Sequence, residues 1–428
     1  MTPRRSTFHA LIVLLVATAS LLAAAPAWAG TTVAIVKGRD VDKMVAEAIE
    51  LLGGMKQFVR DGQKVVIKPN LVYQPALAGP KESRGKGPIQ EEHTTDVRIV
   101  KALVSQMLAV AKCKIAVAEG CPYVLSELFD FLGYTAAAKE LGFELVDTDK
   151  AERMTVKFDG GAREEYSLPV VTQTADVLVD VAAMKTHHLA GVTLGMKNLF
   201  GLVPMPKMAF HDQLSQVLCD LSLARKPDLV IIDGLVAMEG QGPLWGRPVQ
   251  MDLLIAGTDI VAVDAVTAAV MGIEPERVKH LKLAHERGLG EIDLAKIEVK
   301  GLPIKAVRRG FEQPVADAEV RIARTDALVG KLVEMADQVS RDWRAADLVL
   351  TFRGGLKPDR KRHPSRWGRG FRVRVPPQGD EIVFCVPYRL LYEEEIPAAA
   401  GEAVQWIEDN LGKDARVLTD SPKGRPHL

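Results

Sequence analysis

Short β-rich apolar runs alternate with helix-period segments along most of this chain, and that alternation restricts the fold more than any other feature. The runs read TTVAIV, KVVIKPN, CKIAVAEG, ADVLVDVA, PDLVIIDG and DLLIAG. Between them the spacing predicts helices over residues 41–52, 95–110, 124–132, 211–224 and 259–271. Near-continuous apolar runs are what strands covered on both faces require. The expectation is therefore an α/β fold, a mostly parallel sheet with flanking helices. The stretch 152–171 alternates in character and reads as an antiparallel excursion. Composition shifts after about Gly301. Residues 30–300 are thus read as the α/β domain and 301–428 as a smaller C-terminal α+β extension, with helices expected over 325–339 and 397–411 and a basic loop over 356–375.

Residues 1–29 stand apart. A basic start, an apolar stretch from Ala10 to Leu22 and the ending Ala27-Trp28-Ala29 read as an export signal cleaved after Ala29, giving a periplasmic mature chain without a transmembrane span. The alternative is an N-terminal membrane anchor. Export would place Cys113, Cys121, Cys219 and Cys385 in an oxidising compartment, where one disulfide, for instance Cys113 with Cys121, is an option. No cysteines form a Cys-x-x-Cys pair, so neither a zinc ribbon nor an iron-sulfur cluster is expected. Basic and acidic residues number 55 each. With no net field to draw in a polyanion, no nucleic-acid partner is expected.

In parallel sheets the ligand crevice lies outside the carboxyl ends of the strands. The polar residues that follow the apolar runs are Lys68 and Asn70, Glu119, Lys185 and His187, Asp233, and Asp259 followed by Asp264. If all the strands are parallel, these residues meet at one edge. The segment MKTHHLAGVTLGMKN adds Lys197 to His187, and His211 follows at the start of a predicted helix. Imidazoles bind transition metals or move protons, and a desolvated lysine serves as base, clamp or covalent attachment point. His188 reads as a structural residue. Glu239 lies in a second glycine-rich stretch, DGLVAMEGQGPLWGRP, which is neither a Walker loop nor a dinucleotide turn. His93 and Thr94, near the end of a long insert, lie within reach of the crevice.

The segments VVIKPNLV, TTDVRIVKALV, IAVAEG, KTHHLAGVTLGMKNLFGLVP, IIDGLVAMEGQGP and IAGTDIVAVDAV together resemble domain-of-unknown-function family 362, over roughly residues 33–294. A more distant similarity is to the nickel-pincer lactate racemases. That resemblance implies proton transfer at His187, cofactor holding at Lys197 and nickel ligation at His211. Where those enzymes carry a second proton-transferring histidine, this chain reads Glu119-Gly120-Cys121. The combined expectation is a crevice that binds a transition metal, a metal-containing cofactor or a small anionic ligand. His187, Glu119 and Lys185 would do acid/base chemistry on a small carboxylate, and Lys197, Lys68, Asn70, Asp233 and Glu239 would hold the bound group. The other reading is a periplasmic binding or redox-partner module without catalysis.

Overall fold

The computed structural model describes residues 31–72, 91–121 and 125–314, with the backbone of five strands between residues 338 and 387. The export signal and the helix expected over 397–411 lie outside the described residues. In chain order the first elements are β1 (Thr32–Lys37), α1 (Val41–Leu51), β2 (Lys64–Pro69), α2 (Val97–Val110), β3 (Lys114–Glu119), α3 (Leu125–Phe131), α4 (Tyr134–Leu141) and β4 (Glu144–Asp147). The hairpin β5 (Arg153–Lys157) and β6 (Glu165–Pro169), the turn α5 (Val170–Gln173), β7 (Val177–His187), β8 (Gly191–Thr193) and α6 (Gly195–Asn198) follow. Then come α7 (Leu214–Ala224), β9 (Leu229–Gln241), β10 (Trp245–Gly257), α8 (Ile260–Val270), α9 (Lys279–Glu286) and β11 (Glu298–Gly301). Every predicted strand and helix of the α/β region forms, with ends moved by a few residues.

Nine strands make one sheet in the order β11-β1-β10-β9-β7-β2-β3-β4, with β8 folded back on β7. Strands β9, β7, β2, β3 and β4 run parallel. β10 runs against both β9 and β1. The period of two in each strand divides the core. Val65, Ile67, Val117, Val179, Val181 and Ile231 face α1 to α4. Ala182, Met184, Val230, Ile232, Leu253 and Ile255 face α6 to α9. Helix α8 is buried on every side, its residues apolar all round except Asp264 and Thr267, and Asp259 caps it by accepting from Val261 N and Ala262 N at 2.9 and 3.1 Å.

Three expectations are corrected. The stretch around Glu239 is the tip of a long β9–β10 hairpin, because its alternating residues pair in register from Gln241↔Trp245 inward. Cys113 and Cys121 lie at opposite ends of β3 and are not bridged to each other. At about 3.3 Å per residue a strand of that length holds them far beyond disulfide reach. In the C-terminal region, β12 (Gln338–Asp342), β13 (Asp347–Arg353), β14 (Arg366–Trp367), β15 (Phe371–Arg374) and β16 (Glu381–Pro387) form an antiparallel sheet. Two of these strands occupy the stretch expected to be a basic loop, where FRVRV already carries a strand's alternation. Residues 338 and 339, expected at a helix end, begin β12.

Candidate functional site

Four of the predicted residues meet in one buried network at the carboxyl ends of β2, β3 and β7. Lys68 Nζ donates to both carboxylate oxygens of Glu119 at 2.9 and 3.0 Å, and to Pro69 O at 3.0 Å. Glu119 also accepts from Leu71 N at 3.1 Å and Gly120 N at 2.7 Å. Its lone pairs are therefore spent on holding strand ends, and it acts as a clamp. Asn70 accepts from Lys185 Nζ at 3.0 Å and donates to Asn198 at 3.0 Å, while Lys185 also donates to His93 O at 2.7 Å. Sequence reasoning missed Asn198, whose Nδ2 donates to Asp180 Oδ1 at 2.7 Å and whose Oδ1 faces Lys68 at 3.3 Å. Asp180 pairs with Lys68 in strand register. Its visible signal was a charge inside the apolar run ADVLVDVAA. Burial pushes its carboxyl well above the usual range.

Glycines let the α6 segment close on this network. A Cβ at Gly195 would lie 3.0 Å from both Asp180 Oδ2 and Asp264 Oδ1. One at Gly201 would lie 2.6 Å from Glu119 Oε1 and 2.9 Å from Lys68 Nζ. The Gly201→Ala substitution should therefore force the buried ion pair apart and cost about 1–3 kcal/mol in a urea unfolding titration. An unchanged midpoint would show that the pair yields freely.

Two more lysines join the cluster. Lys207 donates to Asp149 Oδ1 at 2.9 Å, Gly201 O at 2.8 Å and Val203 O at 2.9 Å. Nothing in its sequence surroundings marked it. Lys197 is part-buried, with its Nζ 4.2 Å from the centroid of the Phe200 ring. Burial first, and then the charges of Lys68 and Lys207, lower its pKa to about 7. The ring favours the ammonium form by only about 1 kcal/mol, so desolvation and like charge prevail. Burial, followed by the charge of Lys197, brings Lys185 to about 7 as well.

The remaining predicted residues serve the frame or the rim. Asp233 accepts from Asp96 N at 2.7 Å and Leu235 N at 3.0 Å, tying β9 to the start of α2, and burial raises its pKa to about 7. Glu239 faces Arg247 at 3.5 Å and Arg309 at 3.6 Å and accepts from Glu312 N at 3.1 Å. Asp259 does not reach the crevice edge, because antiparallel β10 delivers it to the opposite end of the sheet. Asp264, further along α8, reaches back to accept from Gly195 N at 2.8 Å and Met196 N at 2.9 Å. Thr95 fastens the insert's end to the strands, donating to Val181 O at 2.7 Å and accepting from Asn70 N at 2.8 Å. His93 Nε2 lies 2.9 Å from Leu244 O at the hairpin tip.

His187 Nδ1 accepts from Leu189 N at 3.0 Å and Ala190 N at 3.2 Å, so its ring proton sits on Nε2, which points the ring's chemistry toward donation. His188 packs on it at 4.8 Å and lies 2.8 Å from Gly242 O through Nδ1. His211 stands edge-on to Phe200, 4.7 Å between centroids, so one aromatic ring separates it from Lys197. Its Nδ1 is 3.3 Å from Lys207 O. Among the described residues no three His, Cys, Asp or Glu side chains converge to hold a metal ion. They do not fit a metal caged by protein donors at His211, and a metal there would have to arrive with ligands of its own.

With this geometry in place, comparison with known proteins gives a family. The domain of unknown function DUF362 matches residues 65–269. That match covers just under half of the chain. It spans β2 to most of α8 and so contains every residue of the lysine network. A thylakoid-associated protein of Synechocystis sp. is 28% identical over 250 residues, covering 56% of this chain and 73% of that protein. Among solved structures, the lactate racemase apoprotein of Thermoanaerobacterium thermosaccharolyticum aligns with a TM-score of 0.37 at 13% identity, covering 57% of each chain. A Thermotoga maritima protein aligns with a TM-score of 0.31 at 10% identity, covering 59% of this chain and 60% of that one. The chain thus spans less than two thirds of either solved structure. Among the described residues, no helix flanking the region matched by DUF362 or within it is long and apolar enough to cross a membrane.

Proposed function

We propose that the strand-end crevice of the region matched by DUF362 binds a small anionic molecule, a carboxylate, and performs acid/base chemistry on it. One observation carries this reading: four lysines, Lys68, Lys185, Lys197 and Lys207, gather in one network around Glu119 and Asp149. Lys68 and Lys207 already engage those two carboxylates. The positive surplus thus falls on Lys185 and Lys197, and an arriving anion would relieve it. In this reading Lys197 is the contact at the opening, Lys185 the inner charge, and His187 and His211 the flanking imidazoles.

A second reading, binding without turnover, draws support from His187. A ring that carries its proton on Nε2 and accepts through Nδ1 is set to donate a hydrogen bond rather than to take a proton. Thermal-shift screening of carboxylates, phosphate and sulfate, followed by product analysis of each hit, separates the two. Stabilisation by a carboxylate that is then chemically changed supports turnover, and stabilisation without change supports the binding module. If Lys197→Ala and His211→Ala both leave every ligand-induced shift intact, the crevice is not the site.

Export to the periplasm belongs to the same proposal and rests on residues 1–29. Mass spectrometry of the protein from its own host should find Gly30 at the mature N-terminus. An intact N-terminus recovered in the membrane fraction would favour the anchor.

A further inference from the structure

Lys197 differs from the other crevice lysines in what its nitrogen meets. Lys68, Lys185 and Lys207 each donate to two or more oxygens. Lys197 Nζ has no hydrogen-bond acceptor among the described residues; the face of Phe200 lies beside it, and the residue is only part-buried. An amine left uncommitted in this way, in a desolvated setting beside other cationic groups, is prepared for attack on a carbonyl carbon. The neighbouring charges would draw in a carbonyl compound that also bears a carboxylate.

We propose that Lys197 condenses with a small oxo acid to form an imine. The proposal rests on the anion-binding reading above, with the acid's carboxylate drawn by the surplus charge at Lys185. The Nζ lone pair attacks the carbonyl carbon, an N–C bond forms, and the carbonyl π pair moves onto oxygen. Both amine protons pass to that oxygen, which leaves as water, and a C=N bond remains. Atoms and electrons balance without an oxidant or reductant. The pKa of about 7 supports the step, because about half of the amine carries its lone pair at neutral pH.

The experiment is reductive trapping of the full chain with glyoxylate and cyanoborohydride, read by peptide mapping. Formaldehyde serves as the carbonyl without a carboxylate, and acetate as competitor. Glyoxylate should label Lys197 at least about tenfold faster than any other lysine. Acetate should slow that labelling, and Lys197→Arg should abolish it while its thermal melting shows a folded protein. If Lys197 reacts with glyoxylate and formaldehyde no faster than exposed lysines, the imine is overturned, whether or not acetate stabilises the protein. If both aldehydes label it equally fast and acetate has no effect, the imine stands and the anion reading fails.

Discussion

Replacing Glu119 with alanine is expected to destabilise the protein by about 3–5 kcal/mol, because it leaves the Lys68 ammonium buried without its counter-charge. Both side chains are 2% exposed or less, and the pair closes at 2.9 Å. The same substitution strips the acceptor from Leu71 N and Gly120 N. Urea unfolding measures the loss. The double variant Lys68→Met with Glu119→Leu should recover much of it, since an apolar pair of similar volume avoids the desolvation penalty. A Glu119→Ala protein as stable as the wild type would mean that the clamp does not hold the strand ends together.

Lys197→Met should move stability and binding in opposite directions. Lys197 brings a charge into a desolvated site without an acceptor for it, so an apolar side chain of similar length should gain about 1–2 kcal/mol. The same change should weaken a crevice anion by about tenfold or more, the loss expected for one charged contact. Such an exchange of stability for function is what the proposed anion contact at Lys197 implies. The pH dependence follows from the same residue. Lys185 and Lys197 titrate near 7 when folded, against 10.5 for an ordinary lysine. The stability associated with each is present above about pH 10.5 and is lost as the pH falls toward 7. The wild type should therefore lose stability across that window, and Lys197→Met should lose less. Equal slopes would place Lys197 in an ordinary solvated setting.

Much of this was legible in the residues, for physical reasons that differ from element to element. The runs KVVIKPN, CKIAVAEG and ADVLVDVA are apolar on both faces, so they read as central strands, and the strand-end rule then placed Lys68, Glu119 and Lys185 together. The rule failed for Asp259 because direction is not written in an apolar run: DLLIAG is as apolar as its neighbours, yet it returns through a hairpin and runs antiparallel. Glu239 was misplaced for the related reason that glycines in a strand look like glycines in a loop. Lys207 and Asp149 left no trace, since they meet across 58 residues through a turn of no periodicity. The division of labour within the network was also hidden. Composition shows acidic and basic residues in equal number, but only geometry shows that Glu119 is fully engaged as a clamp while Lys197 is not.

The most direct test of the lysine surplus is an NMR titration of the lysine side-chain 13Cε signals of the intact protein, with and without acetate. The Lys197 signal should titrate with a midpoint near 7, and acetate should move that midpoint upward, because an anion in the crevice stabilises the ammonium form. A Lys197 midpoint in the ordinary lysine range, unmoved by acetate, would contradict the account.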